Sequence, residues 1–324
     1  MGSNTYEVTE RSTDIRVIVK LLKFKVSSKI KNYLSLVKFS HTIFAMPFAL
    51  MGFFLGLQQA GPIAGKPWWK LLILVLLCMI FARNAAMAFN RWLDKNFDAL
   101  NPRTARREIP GGIITAKNAL LFVVFNCIAF IIAAYFINRI CFFLSPVALF
   151  VILFYSYTKR FTRLCHLVLG LGLSLAPIGA YLAVTGRFNL LPVLFSLAVL
   201  FWVSGFDIIY ALQDIDFDKE NKLYSIPVYS GKKNALNIST ILHILTATCI
   251  ILAGIVGNFG WLSWIGAFVF LALLVYQHTL VKPENLSKVN VAFFTTNGIA
   301  SVIFSAFVVL DLLINKMDYS SYGI

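Results

Sequence analysis

The chain has 324 residues, 59% hydrophobic and only 13% charged, with a net charge of +15 and a mean hydropathy of +0.78. Soluble domains carry about 25% charged residues, so this composition excludes an ordinary soluble globule and defines an integral membrane protein. The positive charge does not point to nucleic acid, because the basic residues cluster in short loops between apolar runs, as membrane orientation requires.

Residues 1–30 mix acids, bases and hydroxyls and turn lysine-rich from Lys20. They are expected to form a cytoplasmic N-terminal extension to a membrane domain over 31–324, and they lack the long apolar core of a cleaved secretory signal. Leu21 to Val37 fits an amphipathic helix lying on the bilayer with its lysines toward anionic headgroups. A spanning helix needs about 20 largely apolar residues. Nine such runs follow, at about 34–58, 69–90, 119–138, 141–158, 165–185, 190–210, 235–256, 260–280 and 290–314. Pro47, Pro146 and Pro177 interrupt three of them, which helix neighbours in a bilayer accommodate. The five cysteines and four histidines show no metal-ligand spacing and read as packed or interfacial residues.

With the N-terminus inside, the inside loops 91–118, 159–164, 211–234 and 281–289 hold most of the loop Lys and Arg. The outside loops offer only Lys66, Arg139 and Arg187, with Lys70 at a helix border. The positive-inside rule therefore fixes the N-terminus as cytoplasmic.

Two polar stretches stand at the ends of the second and sixth runs, on that same side. In the first, Asn90, Asp94 and Asp98 fall at i, i+4 and i+8. At about 100° per residue this predicts one face of a helix. In the second, Tyr210, Asp214 and Asp218 repeat the spacing. Such oxygen-bearing faces suit a hard cation such as Mg²⁺, with phosphate supplying further ligands. Arg103, Arg106 and Arg107 follow the first stretch and suit phosphate oxygens. The two faces lie four helices apart, which predicts two parallel four-helix units plus a ninth helix. Their carboxylates would meet at one membrane surface as a cage for a diphosphate whose lipid tail lies between apolar helices. Asp207, two turns before Asp214, is near that face.

These residues resemble the UbiA superfamily of intramembrane prenyltransferases. Asn90-Arg91-x-x-Asp94-x-x-x-Asp98 is similar to the family's first motif, and Arg103-Thr104-x-x-Arg107-x-x-Pro110 to its continuation. Tyr210-x-x-Gln213-Asp214-x-x-x-Asp218 with Ser225-Ile226-Pro227 resembles the second motif of members acting on 4-hydroxybenzoate and related quinone precursors. Lys38-Phe39-Ser40-His41-Thr42 and Tyr157-Thr158-Lys159-Arg160 fit the same branch. The chain departs at Arg91, where the family often has Asp; a guanidinium there could hold an acceptor carboxylate or bind phosphate.

The resemblance implies an all-α bundle around a central cavity, and a polyprenyl group passed from an allylic diphosphate, ionised on Mg²⁺, to an electron-rich aromatic ring. Asn90, Asp94, Asp98, Asp214 and Asp218 would bind metal, and Lys38, Arg103, Arg107, Lys159 and Arg160 the diphosphate. Tyr210 would shape the cation region, and Arg91 and Asp207 the acceptor site. The expected setting is ubiquinone or menaquinone biosynthesis at a bacterial inner or plasma membrane, with polyprenyl diphosphate, a small aromatic and lipid as partners and no nucleic acid. Haem or naphthoate prenylation are the alternative reactions. A divalent-cation or anionic-lipid transporter is the alternative class, although transport sites favour the bilayer midplane over one surface.

Overall fold

In lipid, a backbone must satisfy its own hydrogen bonds, and helices do so within one segment. A computed structural model describes residues 31–37, 45–60 and 67–314. Among them every regular element is helical, apart from one isolated bridge between Lys282 and Asn285. Helix α1 is described over 31–36. It is followed by α2 (Met46–Ala60), α3 (Trp68–Leu93), α4 (Lys95–Leu100), α5 (Ala116–Ile137) and α6 (Arg139–Thr158). Then come α7 (Cys165–Thr185), α8 (Leu190–Ala211), α9 (Ile215–Glu220), α10 (Ile226–Val256), α11 (Trp261–Leu280) and α12 (Asn297–Ile314), the last preceded by a π turn.

Eight of these segments are long and apolar enough to cross a membrane, α8 with α9 counting as one. The remaining expected span, 34–58, contains α2, which has 15 described residues. Residues 38–44 within that span, and residues 1–30, lie outside the described set.

Polar residues mark the starts. Thr115, Asn138, Asn189 and Ser225 each accept a backbone N–H from the first turn of α5, α6, α8 and α10. Asn138 alone separates α5 from α6, and its amide also donates to the carbonyls of Leu182 and Ala183 at the end of α7. Helix α10 begins earlier than the expected 235–256, because a turn from Ile226 joins it through Gly231, whose φ of 75° favours glycine.

From α5 each span packs on the next, as far as α12, which closes onto α2, and α2 also crosses onto α7. The α2–α7 approach depends on Gly52: a Cβ there would lie 2.0 Å from the Pro177 carbonyl oxygen. Trp202 anchors the core against Phe48, Phe206 and Phe270, and donates its indole N–H to Asn297 Oδ1 at 2.8 Å. Large apolar side chains such as Phe143, Phe150, Phe268 and Val275 point outward, as lipid contact allows. Gly52→Ala should force α2 from α7 and destabilise the fold by roughly 1–3 kcal/mol. A lower thermal unfolding midpoint in detergent checks this.

Candidate active site

Both polar motifs fall at helix breaks, not on continuous helices as their spacing predicts. Helix α3 stops at Leu93, Asp94 adopts φ −89° and ψ 8°, and the six-residue α4 follows. Helix α8 stops at Ala211, a 3-10 turn covers Leu212–Asp214, Asp214 adopts φ −107° and ψ 6°, and the six-residue α9 follows. In the first motif the Asp94 N–H still donates to the Asn90 carbonyl at 2.9 Å, and the Asp98 N–H to the Asp94 carbonyl at 2.7 Å. The ladder persists through the bend, so the four-residue spacing still brings the acids to one side. Three spans separate α3 from α8, so the two run in the same direction and break at the same face.

The acids open onto a cavity of about 700 Å³. Asn90, Asp94, Asp98, Arg103, Arg107, Lys159, Arg160, Asp207, Tyr210, Asp214 and Asp218 all line it. Its walls then turn apolar and follow α7 from Cys165 to Ala183, roughly 27 Å at 1.5 Å per residue. A polar head at one end and a long greasy channel behind it suit an amphiphile.

Each carboxylate faces its own cation. Arg160 meets Asp94 at 3.0 Å and Arg107 meets Asp98 at 2.7 Å. Arg103 grips both oxygens of Asp214, at 2.9 and 2.7 Å, and donates to the Tyr210 hydroxyl at 3.2 Å. Lys159 stands 2.7 Å from Asp218 Oδ1, a charge contact in which neither Asp218 oxygen has an aligned hydrogen bond. Arg103 and Lys159 thus tie the first half of the chain to the second. Burial pushes the Asp94 carboxyl above the usual carboxylate range, and Arg160 opposes this only in part. Burial works against the Lys159 ammonium, but Asp218 outweighs it and holds its pKa above the ordinary lysine value.

Among the described residues no three His, Cys, Asp or Glu side chains converge into a ready-made metal cluster. The donor set nevertheless fits a hard cation. Asp98 Oδ2 and both Asp218 oxygens are buried without a hydrogen-bond partner, and carboxylate and amide oxygens are the ligands Mg²⁺ takes alongside phosphate.

Arg91 needs correction. It is 4% exposed, does not line the cavity and pairs with Glu108 at 3.0 Å; Glu108 in turn accepts from Ser35 of α1 at 2.5 Å. One residue beyond Asn90 turns its side chain about 100° away from the site, so Arg91 fastens α1 and the following loop instead of meeting an acceptor. Lys38 lies outside the described residues. The cavity also exposes residues that the motifs did not single out. Arg83, two turns before Asn90 on α3, lines it with Nε lacking a partner, and the signal for it was a charge inside an apolar run. His166 and Tyr155 also line it.

These features define a class: a polytopic membrane protein with a charge-lined site at one end of an apolar cavity. Residues 45–299 match the UbiA prenyltransferase family. The chain belongs to that family and is a prenyltransferase. It is 30% identical over 249 residues to a protein named 4-hydroxybenzoate octaprenyltransferase from Tolumonas auensis, covering 75% of this chain and 84% of that one. A protein of the same name from Nitrosomonas europaea is also 30% identical, covering 77% and 85%. Among solved structures, a UbiA homolog from Aeropyrum pernix has a TM-score of 0.75 at 29% identity, covering 84% of this chain and 98% of that one. One from Archaeoglobus fulgidus, bound to DMAPP and Mg²⁺, shares the fold with a TM-score of 0.68 at 20% identity, covering 88% and 100%.

Lys159→Ala and Asp218→Asn should each lower stability, and the double variant should lose less than their sum. A coupling energy of roughly 0.5–3 kcal/mol from thermal unfolding in chelator-treated buffer is the expected result.

Proposed function

We propose that this prenyltransferase passes a polyprenyl group from an allylic polyprenyl diphosphate to an aromatic acceptor of the 4-hydroxybenzoate kind, with Mg²⁺, in quinone biosynthesis. The observation that carries the reading is the cavity itself, with four carboxylates and four basic side chains at one end and an apolar channel behind them. The names of the relatives from Tolumonas auensis and Nitrosomonas europaea support the acceptor class. The ligands of the Archaeoglobus fulgidus homolog support the donor and the metal.

Asn90, Asp94, Asp98, Asp214 and Asp218 would hold Mg²⁺, which supplies electrophilic stabilisation of charge on a departing diphosphate. Arg103, Arg107, Lys159 and Arg160 bind the diphosphate oxygens, exchanging carboxylate partners for phosphate ones. As the allylic C1–O bond breaks, its electron pair leaves with the diphosphate. A ring carbon ortho to the hydroxyl then bonds to C1, and the proton on that carbon passes to the released diphosphate, which restores aromaticity. Tyr210, whose ring centroid lies 4.2 Å from that of Phe293 at a tilt of 32°, offers a π face to the allylic cation. Arg83 receives the acceptor carboxylate and Asp207 faces the ring.

The catalytic unit we assign is 31–324, with 1–30 as an extension. The excess of Lys and Arg in the loops on the site's side supports a cytoplasmic site in a bacterial plasma membrane.

Purified protein with Mg²⁺ and geranyl or longer prenyl diphosphate should prenylate 4-hydroxybenzoate. Asp94→Ala and Asp214→Ala should each slow turnover by about a hundredfold or more, and chelation should abolish it. Product from 1,4-dihydroxy-2-naphthoate alone would reassign the acceptor, and no Mg²⁺-dependent diphosphate binding in a folded sample would overturn the reading. Arg83→Ala should raise the KM for 4-hydroxybenzoate about tenfold or more, the loss of a charged hydrogen bond, and leave that for the diphosphate unchanged.

A further inference from the structure

We infer that His166 is a positioning residue that fixes Asp207 to accept a hydrogen bond from the acceptor's phenolic hydroxyl, so that the site selects hydroxyl-bearing rings. The inference rests on the aromatic-acceptor reading above and assigns a residue which that reading leaves without a role.

His166 is the second residue of α7 and Asp207 lies in the last turns of α8, 41 positions away. His166 Nδ1 is 2.7 Å from Asp207 Oδ2. A carboxylate only accepts, so Nδ1 carries the hydrogen and the imidazole orients the acid. The backbone is pinned as well: Ser204 Oγ donates to the His166 carbonyl at 3.1 Å, so α7 and α8 are locked where the pair forms.

Burial assigns different work to the two partners. The His166 side chain is 4% exposed, and its Nε2 is shut away from solvent with no hydrogen-bond partner. Although the residue borders the cavity, its one unpartnered nitrogen is shielded from solvent. Asp207 is 21% exposed and lines the cavity, with only Oδ2 engaged by the imidazole. Asp207 therefore touches the ligand and His166 acts through it.

The location fits an acceptor better than a diphosphate. Asp207 lies seven residues before Asp214, roughly 10 Å deeper along the helix at 1.5 Å per residue. Arg83 and Asp207 both line this cavity, a cation and an anion suited to the carboxylate and the hydroxyl of a hydroxybenzoate. A hydroxyl that donates to a carboxylate also enriches the ring in electrons at its ortho carbon, where the new bond forms. A site built to bond a hydroxyl strongly rejects an analogue that lacks it.

The test uses full-length protein saturated with Mg²⁺ and the unreactive geranyl thiolodiphosphate, in which binding of 4-hydroxybenzoate and of benzoate is compared. Wild type should favour the hydroxylated ring by roughly tenfold or more, the worth of one charged hydrogen bond. His166→Ala should erase that preference. His166→Asn, whose amide nitrogen stands near the Nδ1 position, should restore most of it, and thiolodiphosphate affinity should stay the same in all three. Should His166→Ala fail to fold, loss of the preference in Asp207→Asn and its retention in His166→Asn carry the same expectation. A preference that survives His166→Ala, or diphosphate affinity that falls in step with it, overturns the positioning role. Turnover measured alongside separates the two readings. Wild type that prenylates 4-hydroxybenzoate but shows no hydroxyl preference sinks this inference alone, whereas wild type that prenylates no aromatic sinks the functional reading and this inference with it.

Discussion

The structure depends on charge compensation at the edge of an apolar interior. Asp94, Asp98, Asp214 and Asp218 would be costly there as isolated ions, and each is met by an arginine or lysine. Two of those partners, Arg103 and Lys159, come from the opposite half of the chain, so electrostatics closes the bundle at this end. Aromatic packing around Trp202 holds the helices together deeper in the bundle. Half-buried ion pairs of this kind add little net stability, because desolvation and solvent screening offset attraction. What they provide is a set of charges held ready to change partners, which is what an incoming anion with its metal requires.

Much of this was legible in the sequence because it rests on local periodicity. Seven of the nine apolar runs gave their spans to within a few residues, and the four-residue recurrence of Asn90, Asp94, Asp98 and of Tyr210, Asp214, Asp218 brought out both halves of the site. The helix breaks at Asp94 and Asp214 were not legible, since neither Pro nor Gly marks them and the bond ladder continues across the first. Gly231 was visible only as a glycine in a loop, whereas its positive φ joins to α10 a turn that begins at Ile226, nine residues before the expected start.

Partnerships distant in sequence were the other limit. Arg91 looked functional because it sits inside a motif, but its neighbour Glu108 comes from a loop whose path no local pattern reveals. His166 looked like a lone histidine in an apolar run, and only the packing of α7 on α8 brings Asp207 to it. Arg83 carried a readable signal, a charge within a span, which the motifs overshadowed.

The matching breaks in α3 and α8 have an evolutionary consequence. Two segments that run in the same direction, bend at the same acid and end in equal six-residue helices are the products expected from duplication of one ancestral unit. Since each unit supplies half of the acids, a single unit would have lacked a complete site. Two copies inserted side by side in one orientation could already have formed it, before fusion allowed the copies to diverge. Arg83 and the His166–Asp207 pair, which break the symmetry, then mark where the fused chain specialised.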